Sequence, residues 1–317
     1  MRSNMREIGG YIEFEYYNRP MLHGDGIKLN CGRNALSYFV KSKKIKKIAM
    51  PIFMCDSCDG VLKDNSVSVR YYSIGLDFKP VDTVLAEDEW LYVVNFYGQL
   101  SKEYILKLKE QYERVIVDNA QAYFDEPIEG VPTLYTCRKF FGVADGAILY
   151  SDEKIEVEEQ DESFDRMRFL MGRFERTASE FYSDYVANNH IFATEPIKKM
   201  SKLTENLLCG IDYEAVFKRR TDNFSYLYEK LGAINRLKLI IPEGPFMYPL
   251  YNENGAKIRK KLQAEKLFIP TLWPAVFERC DEGTLEYDMA KNILPIPVDQ
   301  RYGIQDMEYI VNEIKQL

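Results

Sequence analysis

The chain has 317 residues, of which 46% are hydrophobic and 29% charged, enough apolar material for a large core with a smaller unit beside it. A net charge of −7 argues against a nucleic-acid surface, and no apolar run reaches membrane-spanning length. Six cysteines, with no secretory apolar core in the first ten residues, point to reduced thiols in a cytoplasmic protein.

In chain order, Asn34–Lys44 reads as a helix whose basic end, Lys41–Lys47, complements the helix dipole on a solvated last turn. Ile45–Phe53, Ser66–Ile74 and Trp90–Gly98 read as strands. Ser101–Glu113 carries apolar residues at helical spacing behind a serine N-cap, and Arg114–Asp118 and Gly146–Ser151 are further strands. This alternation predicts a parallel sheet with crossover helices. An acidic, exposed stretch, Asp152–Asp165, precedes a long aromatic-rich helical region to about His190. Beyond it come a helix (Leu203–Leu231), strands (Leu237–Pro242 and Phe246–Tyr251), a helix (Ala256–Ala264), a strand (Ile293–Val298) and a terminal helix (Gln305–Gln316). The expected division is a large domain over 20–195 and a smaller α+β domain over 196–317 together with 1–19.

With two histidines in all, His23 and His190, any catalysis must rest on lysine, carboxylates or a cofactor. Cys55 and Cys58 form a CxxC, but zinc would need a second pair or nearby histidines. Buried structural thiols are expected there, a redox pair opening a helix being the alternative. The apolar run Arg114–Val117 ends at Asp118, so this acid should project from the carboxyl edge of the sheet, where open α/β sheets collect ligands. Phe53 and Asn95 stand at strand ends facing the same crevice. Leu29–Leu36 places a glycine turn, Gly32-Arg33-Asn34, directly before a helix, where free N–H groups suit a phosphate. Lys139 lies 21 residues beyond Asp118, next to Arg138 and ahead of a glycine-bearing turn.

Each of these has an ordinary structural use by itself. Together, a phosphate cradle, a strand-end carboxylate and a loop lysine are what holding pyridoxal 5'-phosphate requires: the lysine to bond its aldehyde, the acid to keep its ring nitrogen protonated. A partly desolvated site beside Arg138 would favour the uncharged amine needed for attack. No GxGxxG follows the first strand, which speaks against a dinucleotide fold.

The order CGRNAL, DNAQ, CRKFFGVADGAILY resembles the DegT/DnrJ/EryC1/StrS group of pyridoxal-phosphate-dependent sugar aminotransferases, from about Gly9 to Ser151 and faintly through Lys218–Phe224 and Ile269–Pro274. The resemblance implies an α/β, aspartate-aminotransferase-like fold (fold type I) with a mixed, mainly parallel sheet, and a homodimer. It implies Asp118 at the pyridine nitrogen, Gln121 near the ring hydroxyl, Lys139 as the attachment point, and Gly32, Arg33 and Asn34 around the phosphate. Asn95 would line the pocket.

Three departures stand out. Thr136, three residues before Lys139, takes the role of a serine usually five before it. Either Phe53 or Cys55 stands where an aromatic usually covers the ring. The partner-subunit motif is not recognisable in Phe169–Phe181. Arg138 and Tyr11 are candidate substrate contacts, Tyr11–Phe14 reading otherwise as an edge strand. Arg219 and Arg220 are expected on a solvated helix face, and Trp273 in the small domain's core. The activity implied is transfer of an amino group from a glutamate-like donor to a nucleotide-linked keto sugar. A sugar dehydratase using the same cofactor, and a non-catalytic relative, are the alternatives.

Overall fold

A computed structural model describes residues 8–316, so most of the N-terminal decapeptide, including the first part of the expected 1–19 segment, lies outside the described residues. The chain forms β1 (Ile27–Leu29), α1 (Gly32–Ser42), β2 (Lys47–Pro51), α2 (Ser57–Asp64) and β3 (Ser68–Tyr72). β4 (Glu89–Val94), α3 (Lys102–Tyr112), β5 (Val115–Asp118), β6 (Thr133–Thr136) and β7 (Ala147–Tyr150) follow. Then come α4 (Arg168–Glu175), α5 (Tyr182–Ile191), α6 (Lys202–Leu208), α7 (Tyr213–Leu231), β8 (Met247–Tyr251) and α8 (Gly255–Ala264). The chain closes with α9 (Val276–Arg279), α10 (Leu285–Asn292), β9 (Ile293–Pro297) and α11 (Ile304–Lys315).

Seven strands make one sheet in the order β1-β7-β6-β5-β4-β2-β3. β2 to β6 pair in parallel, whereas β7 runs antiparallel to both β6 and β1. This is the mixed, mainly parallel α/β sheet expected. The central strands are buried along nearly their whole length, which is why Tyr92-Val93-Val94 and Val115-Ile116-Val117 show no polar alternation. After β2 the chain crosses outward to β3, and after β4 it crosses the other way to β5. The loops leaving β2 and β4 therefore part at a topological switch point, the place where such sheets open a crevice.

Register levels the carboxyl edge. Val94 pairs with Asp118, and Asp118 with Leu134. Two residues further along β6, Thr136 faces Ala147, which in turn faces Leu29 of β1. The turn leaving β1 is thus carried over the start of β7 towards Thr136.

A two-stranded antiparallel sheet, β8–β9, has α7, α8 and α11 packed around it, and its buried residues belong to the same apolar core as the large sheet. Leu237–Pro242, expected as a strand, does not join it. Ile240 instead exchanges both backbone hydrogen bonds with the Gln99 side chain, at 2.9 and 3.1 Å, so a side-chain amide replaces a strand neighbour. The expected single helix Leu203–Leu231 is two, α6 and α7. The break falls at Cys209–Asp212, where Asp212 caps α7 by accepting from the Ala215 N–H at 3.0 Å. The helical region before His190 is likewise two helices, α4 and α5, and the Phe181 ring at the start of α5 lies against Gly172 of α4, where a Cβ would sit 2.5 Å from ring carbons. Tyr11–Phe14 is exposed and not a strand. The segment around it is tied to the second half of the chain, since the Tyr17 N–H donates to Asn206 Oδ1 and Asn206 Nδ2 to the Glu15 carbonyl, both at 2.8 Å.

Candidate active site

α1 begins at Gly32 behind Cys31, which makes no side-chain cap, so its first N–H groups are left to other partners. The N–H groups of Asn34 and Arg33 act on the Cys31 thiol, although burial prevails and pushes it up to about 11. A Cβ on Gly32 would come 2.6 Å from Thr136 Cγ2, so only glycine allows this turn to close on β6. The Thr136 hydroxyl is buried there and has no protein partner. Arg138 is similar. Its Nη2 donates to Asn189 Oδ1 and its guanidinium lies 5.0 Å from the Phe192 ring, while its buried Nε has no partner. Arg33 donates to the Asn189 carbonyl at 3.4 Å. An unpaired hydroxyl, an unpaired guanidinium N–H and a second cation therefore gather at the glycine that starts α1. This donor set fits a doubly charged phosphate.

Asp118 closes β5 and is held by two donors. The Ala120 N–H reaches its Oδ1 and the Tyr92 hydroxyl its Oδ2, each at 2.8 Å. Tyr92 is fully buried, and burial together with the Asp118 charge keeps its phenol protonated well above the usual range. It stays a donor, and the carboxylate is fixed in rotation with lone pairs remaining. Beside it, Gln121 is buried and accepts the Tyr97 N–H at 2.9 Å through Oε1, which leaves its NH2 as a donor.

Lys139 ends a 3₁₀ turn, Cys137–Lys139, and its Nζ lies 5.8 Å from the Phe246 ring. The expectation of a desolvated lysine beside Arg138 is not met: Lys139 is exposed, and Arg138 turns away towards α5. The turn itself is tightly anchored. The carbonyl of Phe140 accepts from Arg220 Nη2 at 3.1 Å and from Gln300 Nε2 at 2.8 Å, and Arg220 Nε donates to Gln300 Oε1 at 2.8 Å. The solvated role expected of Arg220 is wrong. It is 1% exposed, its face of α7 turned into the core. Downstream, the Asp145 carboxylate accepts from the Ser201 N–H and hydroxyl, each at 2.7 Å, and from the Thr204 hydroxyl. Gly146 next to it has φ 114°, a conformation that favours glycine.

The CxxC thiols feel both charges. The neighbouring Cys58 thiol, with the Lys139 charge, brings the Cys55 thiol down to about 6 against burial. Cys58 is pushed well above the usual range by its Cys55 neighbour and by burial, with the Asp118 charge adding to it. The thiol pair therefore connects the electrostatic reach of Lys139 to that of Asp118.

Several expected contacts are structural instead. Phe53 is fully buried against Phe96 and Trp273, at ring-centroid distances of 5.5 and 5.3 Å, whereas Cys55 is only partly buried. Trp273, expected in the small domain's core, packs on Phe53 and Phe96 of the large sheet. The Asn95 amide is fully engaged, accepting the Leu100 N–H at 2.9 Å and donating to Asn119 Oδ1 and Asp125 Oδ2 at 3.2 and 2.8 Å. Asn34 Nδ2 donates to Asn30 Oδ1 and to the carbonyls of Glu195 and Pro196, so its side-chain amide is engaged within the protein. Tyr11 is 96% exposed, and nothing among the described residues brings it to the site. Tyr92, Arg220 and Gln300 were not recognised in the sequence. Nothing marks Tyr92 within an apolar strand or Gln300 in a loop, though a basic pair inside an otherwise amphipathic α7 was a signal for Arg220.

This sheet order, with the acid and the lysine at its carboxyl edge, defines the chain as having the fold-type-I architecture of pyridoxal-phosphate-dependent aminotransferases. Among the solved structures it resembles are sugar aminotransferases and an aminotransferase of the DegT DnrJ EryC1 StrS group. DesV of S. venezuelae matches with a TM-score of 0.67 at 13% identity, over 95% of this chain and 90% of that one. A DegT DnrJ EryC1 StrS aminotransferase from Brucella abortus matches at 0.61 and 14%, over 92% and 85%. NtdA from Bacillus subtilis, solved with bound cofactor PMP, matches at 0.61 and 12%, over 92% and 73%. No family model matches the sequence, and no curated protein matches it.

Proposed function

We propose that this chain is a pyridoxal-phosphate-dependent aminotransferase that moves an amino group from a glutamate-like donor to a nucleotide-linked keto sugar. One observation carries the reading: Asp118, at the carboxyl end of β5, and Lys139, three residues past the end of the neighbouring strand β6, share one edge of the sheet with a cradle of unpartnered donors. Bound there, the cofactor supplies an aldehyde for covalent attachment and a ring that accepts electrons.

The residues' roles follow from their positions. Thr136, Arg138 and the α1 start at Gly32, Arg33 and Asn34 bind the phosphate. Asp118, oriented by Tyr92 and the Ala120 N–H, holds a proton on the ring nitrogen. Gln121 donates its NH2 to the ring hydroxyl. Lys139 Nζ would provide the attachment and would serve as the general base for the proton on the donor's α-carbon. Its exposure in a single chain leaves it open to substrate. Residues 20–195 make the cofactor-binding domain, and 196–317 with the N-terminal segment the smaller one.

We further propose a homodimer in the cytoplasm. Support for the dimer comes from large exposed apolar side chains in two segments, among them Tyr11, Ile12 and Tyr16 in the first and Met171, Phe174 (92% exposed) and Tyr182 in the second. All six cysteines are free, in keeping with a reducing compartment. No helix among the described residues is long and apolar enough to cross a membrane.

The test is spectroscopic and isotopic. Reconstituted protein is expected to show a visible absorbance band that borohydride converts to a stable adduct on the peptide containing Lys139, and Lys139→Ala is expected to lose both. Nitrogen-15 from labelled glutamate should appear in the product sugar. A borohydride adduct mapped to a different lysine would refute the assignment, and sugar dehydration without nitrogen transfer would favour the dehydratase reading.

A further inference from the structure

We propose that Cys55 and Cys58 form a redox-active dithiol that reacts with low-molecular-weight disulfides and closes to an intramolecular disulfide at the mouth of the crevice. Four geometric features support this. The two cysteines span the start of α2, with Cys55 just before the N-cap Asp56 and Cys58 in the first turn. Asp56 makes no side-chain cap, and the Ser57 hydroxyl lies 2.9 Å from the Cys55 sulfur. Cys55 is partly open to solvent whereas Cys58 is buried, which suits an attacking and a resolving sulfur. Arg279 of α9 fixes the turn from outside, donating to the Met54 carbonyl at 2.9 Å and to the Asp59 carboxylate.

The surrounding charges act unequally on the two sulfurs. Lys139 faces Cys55 and favours its thiolate, while Asp118 and Asp59 disfavour a thiolate on Cys58. The lowering of Cys55 to about 6 means that at neutral pH it is the nucleophile. In the first step Cys55 Sγ attacks one sulfur of an oxidised glutathione-type disulfide and expels one thiolate. Cys58 then loses its proton, and its sulfur attacks Cys55 Sγ, expelling the second thiolate. The protein loses two hydrogens and two electrons overall, and the small disulfide is reduced to two thiols. Closure also removes the thiolate charge beside Lys139. The dithiol does not depend on the cofactor assignment, since every group it uses belongs to the chain.

The experiment follows mass rather than activity. Full-length protein, with and without pyridoxal phosphate, is equilibrated in glutathione buffers of graded ratio, alkylated and digested with trypsin. The Ile48–Lys63 peptide, which holds both cysteines, is expected to become two hydrogens lighter at ratios that leave Cys209 and Cys280 as thiols. Cys58→Ser should arrest with glutathione on Cys55, and Cys55→Ser should leave Cys58 unmodified. A wild-type peptide that carries two alkylated cysteines throughout the series would overturn the proposal, as would a Cys58 adduct in Cys55→Ser as abundant as that on Cys55 in Cys58→Ser.

Discussion

The guanidinium of Arg220 donates to the carbonyl oxygen of Phe140 at 3.1 Å and lies 4.6 Å from the centroid of the same residue's ring. One buried cation from α7 therefore grips, by backbone and by ring, the residue that follows Lys139. Its Nη1 also donates to the Pro245 carbonyl at 2.9 Å, next to Phe246, whose ring lies near Lys139 Nζ. Burial pushes the guanidinium down to about 10, which still leaves it charged at neutral pH.

Arg220→Lys should therefore be costly although it keeps the charge. A lysine cannot reach Gln300, Pro245 and Phe140 from one planar fork, and carbonyls left without donors in the core cost about 1–3 kcal/mol each. A loss of about 2–4 kcal/mol is expected in urea unfolding, with faster amide exchange across Cys137–Gly146. Exchange in that segment unchanged from wild type would show that Gln300 alone suffices.

Thr136→Val separates a ligand role from a structural one. The hydroxyl has no protein partner, so its removal should leave stability unchanged or raise it by up to about 1 kcal/mol. If it meets the cofactor's phosphate, the same variant should bind pyridoxal phosphate about ten times more weakly, while its affinity for pyridoxal is unaltered. Equal loss for both ligands would place the hydroxyl away from the phosphate.

Gly32→Ala should destabilise by about 1–3 kcal/mol, because the new methyl would overlap Thr136 Cγ2. Thr136→Ser removes that Cγ2 and keeps the hydroxyl, so the double variant should recover most of the loss. Additive effects in the double-mutant cycle would mean that the clash is with something else.

Asp125 offers a pH signature. Burial raises its carboxyl from 3.8 to about 7, with the Asn95 hydrogen bond opposing and Glu243 reinforcing the shift. The native state thus holds this proton more tightly than the unfolded chain does. Its contribution is complete below about pH 4 and is lost as pH rises through 7. Asp125→Asn, which keeps an acceptor for Asn95, should match wild type near pH 4 and exceed it by about 2–4 kcal/mol at pH 8. A stability difference that does not change with pH would contradict the buried carboxyl.

Most of the large sheet was legible in the sequence because its strands are continuous apolar runs that end abruptly in polar residues. Asp118 was visible for this reason, as were α1, α3, β8, β9 and α11. β1 and β6 were not, since 3 and 4 residues are too short to show a period. At the site, the residue types Gly32, Asp118 and Lys139 were readable from order and spacing. The actual partners of Asn95, Asn34 and Phe53 were not, because a polar or aromatic residue at a strand end suits a loop network, the core or a ligand equally well.

By itself, then, the sequence determined a parallel α/β sheet with an acid at a strand end, a lysine on a later loop and a glycine at a helix start, since these follow from local period and turn chemistry. Only the tertiary structure decided that Arg220 faces the core, that Tyr92 aims the carboxylate, and that Phe53 is buried against Phe96 and Trp273. Those outcomes depend on which elements meet across long stretches of chain, and that is set by packing of whole faces rather than by any one segment.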